Sequence, residues 1–268
     1  MTVLINGKID NCVASSDRGL QYGDGVFETI AIKNGESEHW YEHMARLTEG
    51  CRRLNIPPPD TLQLLAEAQK LYAGKEQAVL KIIITRGSGG RGYRSPDKVM
   101  PTRILSVHPW PSHPSNYVHE GIHLHLCATQ LSSQVALAGI KHLNRLEQVI
   151  ARNEWHDPDI SEGLMLDGNG NVVEGTMSNY FAVVNNELLT PMIVDCGVAG
   201  IMRSHIIKQA SLHNIVVRES SIKLDELFLA DELFICNSII GIWPVRKFLN
   251  KSYKVIGDVT AKIMEGLI

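Results

Sequence analysis

The chain has 268 residues, 44% of them hydrophobic and 21% charged, and a formal net charge of −3. That is enough apolar material for one large domain or two smaller ones, and it leaves no basic field to hold nucleic acid or anionic lipid. The cysteines Cys12, Cys51, Cys127, Cys196 and Cys236 are far apart and show no CxxC or Cys/His ligand spacing, which argues against a disulfide framework and a zinc site and fits a reducing compartment.

In chain order, "VLINGKID" reads as a strand pair around Asn6-Gly7, and "VFETIAIKNGESEHW" repeats the pattern around Asn34-Gly35. Both dipeptides carry the type I′ hairpin signature. The start, "MTVLINGKID", lacks a signal-peptide pattern, and no apolar run approaches membrane-spanning length, so a cytoplasmic protein without a membrane partner is expected. A helix is predicted from about Tyr41, with His43, Leu47, Cys51 and Leu54 at helical spacing. "IPPPD" ends it, and Asp60 is placed to cap the next helix. "AVLKIIIT", 78–85, reads as a strand running into "RGSGGRGY", and "TRILSVH", 102–108, as another. "HPWPSHPSNYVHEG" has three prolines and no apolar periodicity, which marks a linker.

Beyond it "IHLHLCA" alternates, and "LAGIKHLNRLEQV" places Lys141 at the opening of a helix reaching about Trp155. "GLMLDGNGNVVEG" and "NYFAVVNNELLTP" read as hairpins, and "GIMRSHIIKQASLH" as a helix opening at a glycine. "DELFICNSIIGIWPV" reads as strand, turn, strand, and a last helix covers roughly Ile256 to Ile268. The mixture predicts an α+β chain rather than a doubly wound parallel sheet. The expected division is an N-terminal domain 1–108, a linker 109–121 and a C-terminal domain 122–268 that carries Lys141.

Taken one at a time, the candidate residues have plain readings. "RGSGGRGY" lacks the GK[ST] ending of a phosphate loop and reads as a flexible connection between strands. Arg91 and Tyr93 nevertheless put a cation and a phenol there, suited to holding a carboxylate. His123 and His125 alternate along a strand and are expected to face solvent. Glu174 at a strand end and Arg46 in a helix read as exposed residues. "LDGNGNVVE" reads as a turn rather than a calcium loop. "AGIMR" offers a helix N-terminus able to take an anion, and "CNSIIG" offers amide and hydroxyl groups at a strand end. Together these supply one lysine, one carboxylate, one arginine and two donor-bearing turns. A pyridoxal phosphate site needs those parts: a lysine to hold the aldehyde and move protons, a carboxylate to keep the pyridine nitrogen protonated, and N–H groups with an arginine for the phosphate.

The segments "DRGLQYGDGVFETI", "HMARL", "GIKHLNRLEQV", "VVEGTMSNYF", "AGIMR" and "ICNSIIGIWPV" resemble, in order, the fold-type IV pyridoxal-phosphate enzymes, the class of branched-chain and D-amino-acid aminotransferases. "LKIIITRGSGGRGY" and "GIKHLNRLEQV" resemble the lyase branch of that family. The resemblance implies a homodimer with a smaller N-terminal α/β sandwich domain and a larger C-terminal pseudo-barrel domain. It implies a lyase of folate biosynthesis converting 4-amino-4-deoxychorismate to 4-aminobenzoate and pyruvate, with aminotransferase chemistry as the alternative. A nucleotide-binding module built on "GSGGRG" is a third reading, weakened by the missing GK[ST]. By the same resemblance Lys141 binds pyridoxal 5'-phosphate covalently, Glu174 pairs with its ring nitrogen, and Arg46 binds its phosphate. Ile201 and Met202 give the phosphate backbone amides, with Asn237 and Ser238 on its other side. Arg91 and Tyr93 hold the substrate carboxylate, and Thr29 is a possible proton donor. Many aminotransferases have Thr where Met202 stands, and the "SGGRGY" loop is richer in glycine than theirs; both departures favour the lyase.

Overall fold

A computed structural model describes residues 2–267. By backbone contacts the chain divides into two compact units, Met1–Ser112 with Ile140–Asn144, and His113–Gly139 with Arg145–Ile268.

In unit 1 the hairpin-forming stretches become β1 (Val3–Ile5), β2 (Lys8–Ile9), β3 (Gly25–Lys33) and β4 (Glu36–Ser37), with α1 (Arg18–Tyr22) between the pairs. Asn6 and Gly7 (φ 51° and 81°), and Asn34 and Gly35 (φ 52° and 76°), take the left-handed backbone that the predicted turns require. Then come α2 (Trp40–Arg53), α3 (Thr61–Tyr72), β5 (Gln77–Thr85) and β6 (Thr102–His108). The Asp60 carboxylate caps α3 by accepting from Leu62 N–H at 2.9 Å and Gln63 N–H at 3.2 Å.

The strands form one antiparallel sheet in the order β2-β1-β6-β5-β3-β4. Strand alternation sends Val26, Ile30 and Ile32 of β3, Leu80, Ile82 and Ile84 of β5, and Leu105 of β6 to one face. There they pack with Met44, Leu47 and Cys51 of α2 and Leu64 and Ala68 of α3. Phe27 and Thr29, with Lys81 paired opposite Thr29, belong to the other face.

Unit 2 contains α4 (Tyr117–Glu120), β7 (Ile122–Leu126), α5 (Leu146–Arg152), β8 (Ile160–Leu166), β9 (Asn171–Gly175), β10 (Asn179–Val184), β11 (Glu187–Pro191) and α6 (Ile201–Leu212). It continues with β12 (Val217–Ser220), β13 (Ile222–Lys223), α7 (Leu224–Leu229), β14 (Glu232–Asn237), β15 (Gly241–Phe248), β16 (Lys251–Ser252) and α8 (Asp258–Glu265). The strands join in the order β12-β11-β10-β14-β15-β7-β8-β9-β13, a barrel-like mixed sheet, with β16 added to β15. One core cluster is built on Leu124, Leu164, Tyr180, Trp243 and Phe248. Another joins Phe181 and Phe234 to Ile206 of α6 and Ile263 of α8.

Three readings change. The proline-rich stretch holds a short helix, α4. His125 is half-buried, its ring 5.2 Å from that of Trp155 and its Nε2 3.3 Å from Glu154; strand alternation alone did not reveal that α5 and its C-terminal flank cover this side. The helix expected to open at Lys141 begins only at Leu146. The reason is a competing ladder: Phe27 N–H donates to the Lys141 carbonyl at 2.9 Å, and Leu143 N–H to the Gly25 carbonyl at 3.0 Å. Residues 141–143 thus add to the edge of β3, with Val26 bridged to His142. That pairing groups Lys141 with unit 1, whereas the sequence reading had placed it in the second domain.

Candidate active site

The pairing with β3 sets Lys141 opposite Phe27, so the two side chains emerge on the same face. Lys141 Nζ lies 4.6 Å from the Phe27 ring centroid. Lys81 Nζ lies 5.5 Å from the same ring. Thr29 stands two residues along from Phe27 and opposite Lys81. This face of unit 1 therefore gathers two amines, an aromatic ring and a hydroxyl. The two ammonium groups suit an anionic partner, and the ring stabilises cations held near it.

Arg46 is not the exposed helix residue its spacing suggested. Its Nε donates to Glu28 Oε1 at 2.7 Å and its Nη2 to Glu28 Oε2 at 2.5 Å. His43 Nδ1 donates to the same carboxylate at 2.7 Å. Glu28 is fully buried. Burial alone would raise its pKa, but the charge and hydrogen bonds of Arg46, with those of His43, more than offset that and hold it at about 2. The bidentate clamp fixes the guanidinium plane, which is what anion recognition by arginine requires.

Arg91 and Tyr93 stand on the loop between β5 and β6. Tyr93 is exposed, and its ring meets Tyr22 edge-on at 5.5 Å. The loop starts at Arg86, whose Nε and Nη2 donate to Asp24 at 2.7 and 2.9 Å and whose Nη1 and Nη2 also donate to the Asn55 and Leu54 carbonyls.

In unit 2, Glu174 is the penultimate residue of β9 and is buried, contrary to its plain reading. Its Oε2 accepts from Val198 N–H at 2.8 Å, and Gln148 Nε2 lies 3.4 Å from its Oε1. The nearby Arg145 guanidinium has its pKa lowered by burial, a shift that Glu174 and Glu147 oppose. Ile201 and Met202 form the first turn of α6, and no side chain caps it. The bend into that helix needs Gly200, because a Cβ there would lie 2.0 Å from Asn179 Oδ1. A twelve-residue helix with an open first turn is suited to a phosphate.

The Asn237 amide is committed to building its turn: its Oδ1 accepts from Ile239 and Ile240 N–H at 2.8 and 3.0 Å, and its Nδ2 donates to the Met177 carbonyl at 3.1 Å. Ser238 sits half-buried in that turn. Glu162, fully buried, holds the preceding turn. It accepts from Gly163, Thr176 and Met177 N–H at 2.8, 3.1 and 3.2 Å, and from the Thr176 and Ser178 hydroxyls at 2.5 and 2.9 Å. Burial raises its pKa even against these donors.

The sequence reading passed over Glu28, Lys81 and Glu162. Each had a visible signal. Glu28 and Lys81 are charges inside β-branched or apolar runs, and Glu162 interrupts the apolar strand "ISEGLML". As a donor set, the amine of Lys141, the clamped Arg46, the buried Glu174 and the open turn of α6 match the groups pyridoxal phosphate needs.

The fold is a fold-type IV architecture. The pattern of the family described as amino-transferase class IV matches residues 25–248. The chain belongs to this family. It is 35% identical over 266 residues to an aminodeoxychorismate lyase of Vibrio harveyi, covering 98% of each chain. It is 32% identical to a putative branched-chain-amino-acid aminotransferase of Methanocaldococcus jannaschii, covering 99% of this chain and 94% of that one. The crystal structure of 4-amino-4-deoxychorismate lyase from Pseudomonas aeruginosa superposes with a TM-score of 0.95 at 44% identity, over 99% of this chain and 97% of that one.

Proposed function

We propose that the protein is a pyridoxal 5'-phosphate-dependent lyase that converts 4-amino-4-deoxychorismate to 4-aminobenzoate and pyruvate. The observation that carries this reading is Lys141 at the Phe27 ring, on the sheet face that also carries Thr29 and Lys81, in a chain 44% identical to a lyase of that name along nearly its whole length. The cofactor, when bound, supplies an electron sink for the carbon next to the substrate nitrogen. Lys141 would hold its aldehyde, and the Lys141 amine would be the base for the ring C–H proton beside the substrate nitrogen. The C–O bond to the enolpyruvyl group breaks, the ring becomes aromatic, and the leaving group takes one proton on its methylene carbon to become pyruvate. Lys141 supplies that proton as acid as well as base, with Thr29, on the same sheet face as Phe27, as the other donor.

Glu174 would keep a proton on the cofactor's ring nitrogen. Arg46, the amides of Ile201 and Met202 and the Asn237-Ser238 turn would bind the phosphate. Arg91, Tyr93 and Lys81 take the two carboxylates of the substrate. The free thiols fit a cytoplasmic enzyme. Leu146, Val149 and Ile150, exposed along α5, support a homodimer that would cover them.

Lys141→Ala is expected to lose both the visible absorbance of the bound cofactor and the release of 4-aminobenzoate. Turnover retained by that variant without added amine would overturn the assignment. The aminotransferase reading is tested with D-alanine or branched-chain amino acids and 2-oxoglutarate. Turnover well above that with aminodeoxychorismate would replace the lyase.

A further inference from the structure

Arg18 lies in α1, within "DRGLQYGDG", and is 3% exposed. Each nitrogen of its guanidinium is engaged. Nε donates to Asp24 Oδ2 at 2.9 Å, Nη1 to the Gly92 carbonyl at 2.9 Å, and Nη2 to the Tyr93 carbonyl at 3.0 Å. The Tyr22 ring lies 4.8 Å from its Cζ, and that ring in turn meets Tyr93. Asp24 joins Arg18 to Arg86, so one carboxylate ties this fork to the start of the loop. Burial pushes the Asp24 carboxyl up, and the two arginines outweigh it and hold it below the usual range.

The same segment grips the loop by its backbone. Arg18 N–H donates to the Gly87 carbonyl at 2.9 Å, and Gly89 N–H to the Ser16 carbonyl at 3.2 Å. The Ser16 and Ser88 hydroxyls are 3.0 Å apart. Gly89 passes so close that a Cβ would stand 2.8 Å from Arg18 Cδ. A loop with four glycines between 87 and 92 has little intrinsic preference for one shape. Its conformation around Arg91 must therefore be imposed from outside. A planar fork reaches two successive carbonyls and a carboxylate from three separate nitrogens in fixed directions; the three donors of an ammonium share one nitrogen and cannot span the same spread.

We infer that Arg18 is a positioning residue for the substrate-binding loop. It fixes the carbonyls of Gly92 and Tyr93 and thereby sets where the Arg91 and Tyr93 side chains meet the substrate carboxylate, without itself touching substrate. This rests on the reading that Arg91 and Tyr93 bind substrate.

Two variants approach the contact from opposite sides: Arg18→Lys removes the fork and keeps the charge, and Gly89→Ala displaces the arginine stem from the loop side. The holoenzyme is analysed by amide hydrogen exchange over 87–94 and by steady-state kinetics with 4-amino-4-deoxychorismate. Both variants are expected to speed exchange in 87–94 about tenfold or more, to leave β3 and β5 amides unchanged, and to raise KM about tenfold with kcat little altered. Unchanged exchange in both variants overturns the inference, as does faster exchange with an unchanged KM. Exchange that rises equally across β3 and β5 reduces Arg18 to a general stabiliser and also overturns it. If the wild-type protein does not turn over this substrate, the lyase reading fails on its own, while the exchange data still decide whether Arg18 holds the loop.

Discussion

Glu28→Gln should be among the most destabilising conservative changes in unit 1. The carboxylate, fully buried, is the shared acceptor of Arg46 and His43 between helix and sheet. Lowering its pKa from 4.5 to about 2 on folding corresponds to about 3 kcal/mol. The amide keeps the shape but removes the buried charge that Arg46 grips, a loss of about 3–5 kcal/mol for a broken buried pair. The sign of the pH dependence follows from the depressed pKa. The stabilisation is complete above about 4.5 and is lost as pH falls through about 2. Urea unfolding of wild type and variant, followed by tryptophan fluorescence, should therefore show a gap that is full near neutral pH and narrows steadily in acid. A gap below about 1 kcal/mol at neutral pH, the value of an exposed pair, would refute the argument. So would a gap that stays constant through the acid range.

Glu162→Ala should lower the melting temperature and loosen the turn at 176–178. The backbone N–H groups that lose their acceptor cost about 1–3 kcal/mol each where water cannot replace it; an unchanged melt would show that water enters. Arg91→Ala should raise KM for aminodeoxychorismate about 10- to 100-fold, the loss of a charge-assisted contact, and an unchanged KM would remove Arg91 from the substrate site. Cys51, Cys127, Cys196 and Cys236 are buried, and burial pushes each thiol to about 12. Alkylation of the native protein near neutral pH should label Cys12 alone, and mass spectra with several adducts would contradict that burial.

The hairpins at Asn6-Gly7 and Asn34-Gly35, the Asp60 cap and the α6 start were legible because each follows from a local rule of turn or cap chemistry. The partners of the site residues were not. Arg46 looked like a surface residue because its helix spacing says nothing of a carboxylate on the neighbouring strand. Glu174 looked exposed because the Val198 and Gln148 groups that satisfy it come from distant parts of the chain. Lys141 reads from sequence as the entry to a helix, after an apolar run. What decides its conformation is a pairing with Phe27 that only the tertiary fold creates.

That pairing has a mechanical consequence. Successive residues of an extended segment point to opposite sides, so the direction of the Lys141 amine depends on counting. Inserting or deleting one residue between Gly139 and Lys141 while the ladder with Gly25 and Phe27 is kept would send the amine to the helix-covered side and bring a neighbour into its place. The stretch thus has little tolerance for a change of length even where it would accept a change of residue. Phe27 and Lys141 lie roughly a hundred residues apart in sequence, so this register exists only once distant parts of the chain have met.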